Sequence, residues 1–179
     1  MKKFKLLFFT LLAVILSFTA GYTQKFCYVD SEYILNQMTE YKSAQSQLDQ
    51  LTNKWKDEIK QKMDEIEKLY NAYRAEQVLL PEEVRKKRED EIQKKEDDLN
   101  KFKEEKFGKN GELFKKRQEL VKPIQDKVFE AIQKMASEEG FDFVFDKSGA
   151  VTMLYVNAKY DRSDEVLDIL GVEVKNKKD

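Results

Sequence analysis

Residues 48–73 read LDQLTNKWKDEIKQKMDEIEKLYNAY, and this stretch decides the fold. Its apolar residues recur at steps of three or four positions: Leu48, Leu51, Trp55, Ile59, Met63, Ile66, Leu69 and Tyr73. Such steps form one apolar stripe on a helix, close to a coiled-coil seam. Lys, Asp, Glu and Gln dominate the remaining surface. The stripe must therefore face a partner.

The helix extends outward from this stretch until a proline stops it. No breaker occurs from residue 41 to Pro81, and residues 41–78 as a helix would measure about 57 Å. Pro81 suits the start of a new helix, with Glu82 and Glu83 in its first turn. A return helix of equal length ends near Glu119. We therefore predict an antiparallel hairpin arm over residues 41–119, with its tip near residues 79–82.

Two breaks follow in the return half of the arm. Gly108 and Gly111 should weaken or bend the helix, and Pro123 should kink it. The breaks permit two interpretations. One is a hinge that lets the arm open for a large bound protein. The other is a static bend that leads the chain into the segments that flank the arm.

Short β-prone runs flank the arm on both sides. They cover residues 26–29, 141–146 and 151–156, with Cys27 as a buried strand residue, and a short helix follows at residues 164–170. We predict that residues 24–40 and 120–174 form a body and that residues 175–179 are a disordered tail. Three strands leave open sheet edges, which favours a homo-oligomer joined by strands. The candidate oligomerisation residues are Phe26, Tyr28, Val29, Phe143, Phe145, Met153 and Tyr155.

The N-terminus has the order of a secretory signal peptide. Lys2, Lys3 and Lys5 precede the apolar residues 6–18, and small residues follow. This order predicts a signal peptide over residues 1–23, cleaved between residues 21 and 24. The alternative is an uncleaved membrane anchor, although the apolar run is short for a membrane span.

Composition argues against several functional classes. The chain has 33 basic and 34 acidic residues, a net charge of -1, no His and one Cys. It therefore lacks the usual general base, the commonest metal ligand and the basic excess of a nucleic-acid binder. No phosphate-binding loop or nucleophile motif occurs. We expect a non-enzymatic protein without cofactor, metal or nucleic-acid partner.

Aromatic residues and methionine on the arm are candidate contacts for other proteins. They are adaptable side chains, and the second helix is too poor in apolar residues to cover the first. The candidates are Trp55, Met63, Tyr70, Tyr73, Phe102 and Phe107. The alternative is that these residues only form the hairpin seam.

A basic cluster lies near the tip, at Arg85, Lys86, Lys87 and Arg88. One interpretation is a solvated helix face balanced by the acidic residues 89–91. The other is a patch that contacts anionic lipid or acidic cargo.

The chain resembles the Skp/OmpH family of periplasmic chaperones. The resemblance rests on residues 26–30 (FCYVD), 33–35 (YIL), 141–146 (FDFVFD) and 160–167 (YDRSDEVL) around the charged hairpin. It implies a mainly α fold with a small β body, in which the hairpin stands on a β-barrel-like oligomerisation domain.

The resemblance also implies a function. A homotrimer would hold unfolded outer-membrane β-barrel proteins between three arms, without ATP, in the periplasm of a Gram-negative-type bacterium. This chain is slightly acidic where family members tend to be basic, which argues against strong electrostatic capture of acidic substrates. The alternative functions are a coiled-coil spacer or adaptor of the envelope and, third, an enzyme that uses carboxylates.

Overall fold

The computed structural model describes residues 24–149 and 153–173. Its elements in chain order are β1 (Phe26–Val29), α1 (Ser31–Gln37), α2 (Thr39–Glu76), α3 (Glu82–Phe107), α4 (Glu112–Glu139), β2 (Phe143–Asp146), a 3-10 turn (Ala158–Tyr160) and α5 (Ser163–Ile169). The predicted signal peptide, residues 151–152 of the predicted third strand and the predicted tail lie outside the described residues.

A long helical hairpin projects from the body, as the periodicity predicts. Helix α2 runs for 38 residues and α3 for 26 residues. Pro81 takes the N-cap position of α3, and Glu82 and Glu83 lie in the first turn. Negative charge in the first turn interacts favourably with the positive end of the helix dipole, which favours a helix start directly after the turn.

Helix α4 brings the chain back to the base of the arm. Ala44 and Leu48 near the start of α2 share one buried cluster with Val121 and Ile124 of α4. Pro123 lies exposed within α4, and the helix continues on both sides of it. The chain therefore returns to its starting end close to Pro123, at the position that the arm lengths predict.

The core of the body lies between helices α1, α4 and α5 and one face of β1. Ile34, Met135, Val166 and Leu167 are almost completely buried there, at no more than 1% exposure. Burial of one such side chain stabilises the fold by about 1.5 to 3 kcal/mol. The described residues therefore contain a core of their own, although the body is small.

The sheet has two parallel strands in the described part of the chain. Phe26 pairs with Phe143 and Val29 with Asp146. The third strand predicted at residues 151–156 is not seen over residues 153–156, and Leu154 and Tyr155 are 95% and 84% exposed. A strand needs a hydrogen-bonding neighbour, and none pairs with residues 153–156 among the residues that the structure describes.

Asp146 ties the end of β2 to the start of α1. Its carboxylate accepts hydrogen bonds from the Ser31 N–H at 3.1 Å and the Ser31 hydroxyl at 2.6 Å. It also accepts from the Ser148 N–H at 3.0 Å and the Ser148 hydroxyl at 2.8 Å. Burial alone would raise the pKa of Asp146, but these donors outweigh burial and lower the pKa below its ordinary value of 3.8.

Replacing Asp146 with asparagine should remove a pH-dependent part of the stability. A lowered folded pKa stabilises the fold above the ordinary value and loses this effect as the pH falls through the folded pKa. We expect Asp146→Asn to cost about 1 to 2 kcal/mol at neutral pH and much less at pH values below the folded pKa. Urea unfolding of both proteins across this pH range measures the difference.

The matched control is Asp57→Asn, which removes an exposed carboxylate from the arm. Its effect on stability should be small at every pH. An Asp146→Asn protein whose deficit stays constant down to the acid limit would contradict the assigned role of the carboxylate.

Candidate functional site

Trp55 lies inside the arm, contrary to its prediction as an accessible contact. Its side chain is only 4% exposed. The ring of Phe107 meets it edge-on, with centroids 5.8 Å apart, and the Lys106 ammonium lies 5.1 Å from its centroid. Trp55 is therefore a packing residue of the hairpin. This agrees with the alternative interpretation, in which these residues only form the hairpin seam.

Phe102 and Phe107 lie beside Trp55 on the facing helix. Phe107 remains 37% exposed, and Phe102 is half-buried. The ammonium groups of Lys62 and Lys106 lie 5.4 Å and 5.6 Å from the Phe102 ring centroid. These cation–π contacts place positive charge next to the Phe102 ring.

Met63 and Tyr70 are the accessible members of the predicted set. Each is 50% exposed, and both line a groove of about 510 Å³ between α2 and α3. Tyr73 is partly covered, and its hydroxyl donates a hydrogen bond to Glu89 of α3. This hydrogen bond raises the pKa of Tyr73 and ties the two helices together near the tip.

The tip carries apolar residues that the sequence analysis did not select. Val78 is 90% exposed and Leu79 is 86% exposed. The signal was present in the sequence, since three apolar residues directly precede Pro81 and a turn of this size cannot bury them all. The arm therefore exposes apolar side chains both at its tip and along its groove.

Most of the basic cluster is neutralised by neighbouring carboxylates. Arg85 pairs with Glu82, Lys87 with Glu83 at 2.8 Å, and Arg88 with Glu76 at 3.6 Å. Lys86 is exposed and has no ion pair within the described ranges. This geometry favours the solvated helix face over a concentrated patch for anionic lipid.

The break between α3 and α4 is a close-packed turn. Gly108 donates its N–H to Glu104 at 2.9 Å, and the Gly111 N–H donates to Gly108 at 2.8 Å. A Cβ atom on Gly111 would lie 2.9 Å from the Gly108 nitrogen, and one on Gly108 would lie 2.4 Å from the Glu104 carbonyl oxygen. Lys106 and Glu112 form an ion pair across the turn. These contacts favour a static bend.

One face of the sheet is aromatic and open to solvent. Phe26 and Phe143 are both 51% exposed and Phe145 is 44% exposed. They lie near a groove of about 390 Å³, which Phe145 and Phe26 line together with Met153 and Tyr155. Four of the predicted oligomerisation residues (Phe26, Phe143, Phe145 and Tyr155) are thus accessible, and Met153 is half-buried.

Tyr28 and Val29 are not free for contact with another copy. Val29 is 1% exposed because it belongs to the core, and Tyr28 is 6% exposed. Tyr28 also accepts the Arg162 N–H at its carbonyl oxygen, at 2.9 Å, which covers part of the outer edge of β1. Strand β2 has only one neighbour in the described sheet, so its outer edge is open.

The described residues contain no metal-binding cluster. They contain no group of three or more His, Cys, Asp or Glu that could hold a metal ion. Burial raises the pKa of the Cys27 thiol to about 11, so the thiolate needed of a nucleophile is scarce at neutral pH. No helix between residues 24 and 173, over the described ranges, has the length and apolar character to cross a membrane.

Comparison with known proteins agrees with this geometry. The family model for OmpH-like outer membrane proteins matches residues 25–170. A crystal structure from Caulobacter crescentus CB15, of a protein assigned as an OmpH-like outer membrane chaperone, matches with a TM-score of 0.65 and 14% identity. The match covers 89% of this chain and 91% of that chain, and at this identity it shows a shared fold. No curated protein matches the chain.

Proposed function

Because the chain belongs to the OmpH-like family of outer membrane proteins, we propose that it is a holdase chaperone of the periplasm. It binds unfolded outer-membrane β-barrel proteins between its helical arms, without ATP, and prevents their aggregation. Membership of this family agrees with the chaperone assignment of the Caulobacter protein that shares its fold.

The observation that carries the proposal is the apolar surface left open on a charged arm. Met63, Tyr70, Val78 and Leu79 are each at least half exposed. Scattered apolar contacts of this kind bind many sequences weakly, because no pocket demands one shape. Weak contacts also release the client without an energy source.

We propose that the functional unit is a homo-oligomer, and a trimer by analogy with the family. The exposed aromatic face of Phe26, Phe143 and Phe145 and the open edge of β2 support contact with further copies. In such an assembly an open strand edge of another copy would be available to residues 153–156. Several arms side by side would then enclose a client.

Export fits the same proposal. The N-terminal residues 1–23 have the pattern of a signal peptide, and periplasmic location is the rule for this chaperone family. A coiled-coil spacer or adaptor is the alternative, and it would share the arm and the export signal. It predicts one defined partner and no effect on aggregation.

Aggregation of an unfolded client tests the proposal. A urea-unfolded outer-membrane β-barrel protein is diluted with and without the mature chain, and turbidity is followed. We expect protection at a slight excess of assembled chaperone. Absence of protection would defeat the chaperone proposal and favour the spacer.

Two variants identify the surface responsible. Replacing Met63 and Leu79 with glutamine should weaken protection, since both side chains are exposed on the arm. The matched control replaces the exposed Gln50 and Gln61 with alanine and should protect as the native chain does.

A further inference from the structure

The groove between α2 and α3 combines apolar side chains with carboxylates. Its apolar lining consists of Met63, Ile66, Tyr70 and Leu99. Its polar lining consists of Asp64, Glu67, Asn71, Glu96 and Asn100. No Lys or Arg lines this groove, although the chain as a whole has nearly as many basic as acidic residues.

Two of the carboxylates have no ion-pair partner among the described residues. Side chains three or four positions apart are neighbours on a helix. The residues at these spacings from Glu67 are Met63, Asp64, Tyr70 and Asn71, and none of them is basic. Glu67 makes no ion pair within the part of the chain that the structure describes.

Glu96 on the facing helix also lacks a basic residue at these spacings. Its neighbours at these spacings are Ile92, Gln93, Leu99 and Asn100, none of them basic. Glu96 is half-buried, and it too has no ion pair among residues 24–149 and 153–173. By contrast, Glu65 next to the groove pairs with Lys95 at 3.4 Å. The groove is thus locally acidic, whereas positive and negative charges are intermixed along the rest of the arm.

We propose that this groove binds client segments in which a Lys or Arg adjoins an aromatic or aliphatic side chain. The apolar part would pack against Met63 and Tyr70, and the cation would pair with Glu67 and Glu96. This inference rests on the proposed holdase function and specifies which segments the arm holds. Segments rich in Asp or Glu are disfavoured, because they would meet like charges.

Matched peptides test the proposal with the full mature chain. The probes are short, unstructured, fluorescently labelled peptides that share one Leu and Phe core, flanked by two lysines or by two glutamates. Fluorescence anisotropy at low ionic strength measures their affinities. We expect the lysine peptide to bind about tenfold tighter, since exposed ion pairs are individually weak and two act together here.

Neutral variants then assign the preference to the groove. Glu67→Gln with Glu96→Gln keeps side-chain size and should reduce the preference to about twofold. The matched control, Glu91→Gln with Glu105→Gln, removes two exposed charges of α3 outside the groove and should retain it.

Parallel turbidity assays separate this inference from the proposed function. Equal affinity for the two peptides, or a preference unchanged in the Glu67 and Glu96 double variant, would overturn the inference. If the native chain still protects the unfolded client in that case, the holdase proposal stands. Failure of both peptide binding and protection would overturn both.

Discussion

Replacing Trp55 with alanine will destabilise the arm by about 3 to 5 kcal/mol, the usual loss for a buried large aromatic residue. The side chain is 4% exposed and meets Phe107 and Lys106 at the base of the return helix. A two-helix arm has no third layer to refill the cavity. The free energy of unfolding in urea, followed by far-UV circular dichroism, measures the loss.

Tyr70→Ala provides the matched comparison. Tyr70 lies on the same helix, but half of its surface is already in solvent. We expect a loss of about 1 kcal/mol or less. A Trp55→Ala protein as stable as the Tyr70→Ala protein would contradict the packing role of Trp55.

Replacing Phe145 with glutamate will convert the proposed oligomer to monomers and abolish protection of an unfolded client. Phe145 is 44% exposed on the aromatic face of β2, next to the open strand edge. Enclosure of its ring by a second copy would require a glutamate there to lose its hydration, at a cost of several kcal/mol per contact. Light scattering measures the mass, and turbidity measures the protection.

Leu79→Glu is the control for this substitution. It places the same charge on an exposed apolar residue at the tip of the arm, far along the chain from the body. Its mass should equal that of the native assembly. A Phe145→Glu protein that keeps the native mass would contradict an interface at this face.

Helix periodicity predicts the arm well, because eight apolar residues from Leu48 to Tyr73 form one stripe. It does not predict how deeply each member is buried. Trp55 is covered by Phe107 and Lys106, which lie more than 50 positions away on the other side of the tip. Met63 of this stripe and Tyr70 beside it remain half exposed, because α3 offers few apolar residues opposite them.

The strands are predicted less completely than the helices, because a strand forms only where a neighbouring strand pairs with it. Preference for extended backbone predicts strands at residues 26–29 and 141–146, and the structure has them at 26–29 and 143–146. Pairing, however, depends on neighbours. At residues 153–156 the extended preference finds no strand partner within the described ranges. The parallel register of β1 and β2 likewise depends on how the helices bring the two strands together, which local sequence does not encode.

The pairing of β1 with β2 has a consequence for the order in which the chain folds. The Lys25 N–H donates to Asp142 at 2.8 Å, across 117 positions of sequence. The helical hairpin forms through contacts that start at its own turn, and closing such short loops is faster and entropically cheaper. In a chain that leaves a membrane pore N-terminus first, β1 emerges before the arm. It therefore stays unpaired while the arm folds, until β2 has emerged as well. The proposed association between copies through this sheet would follow that last closure.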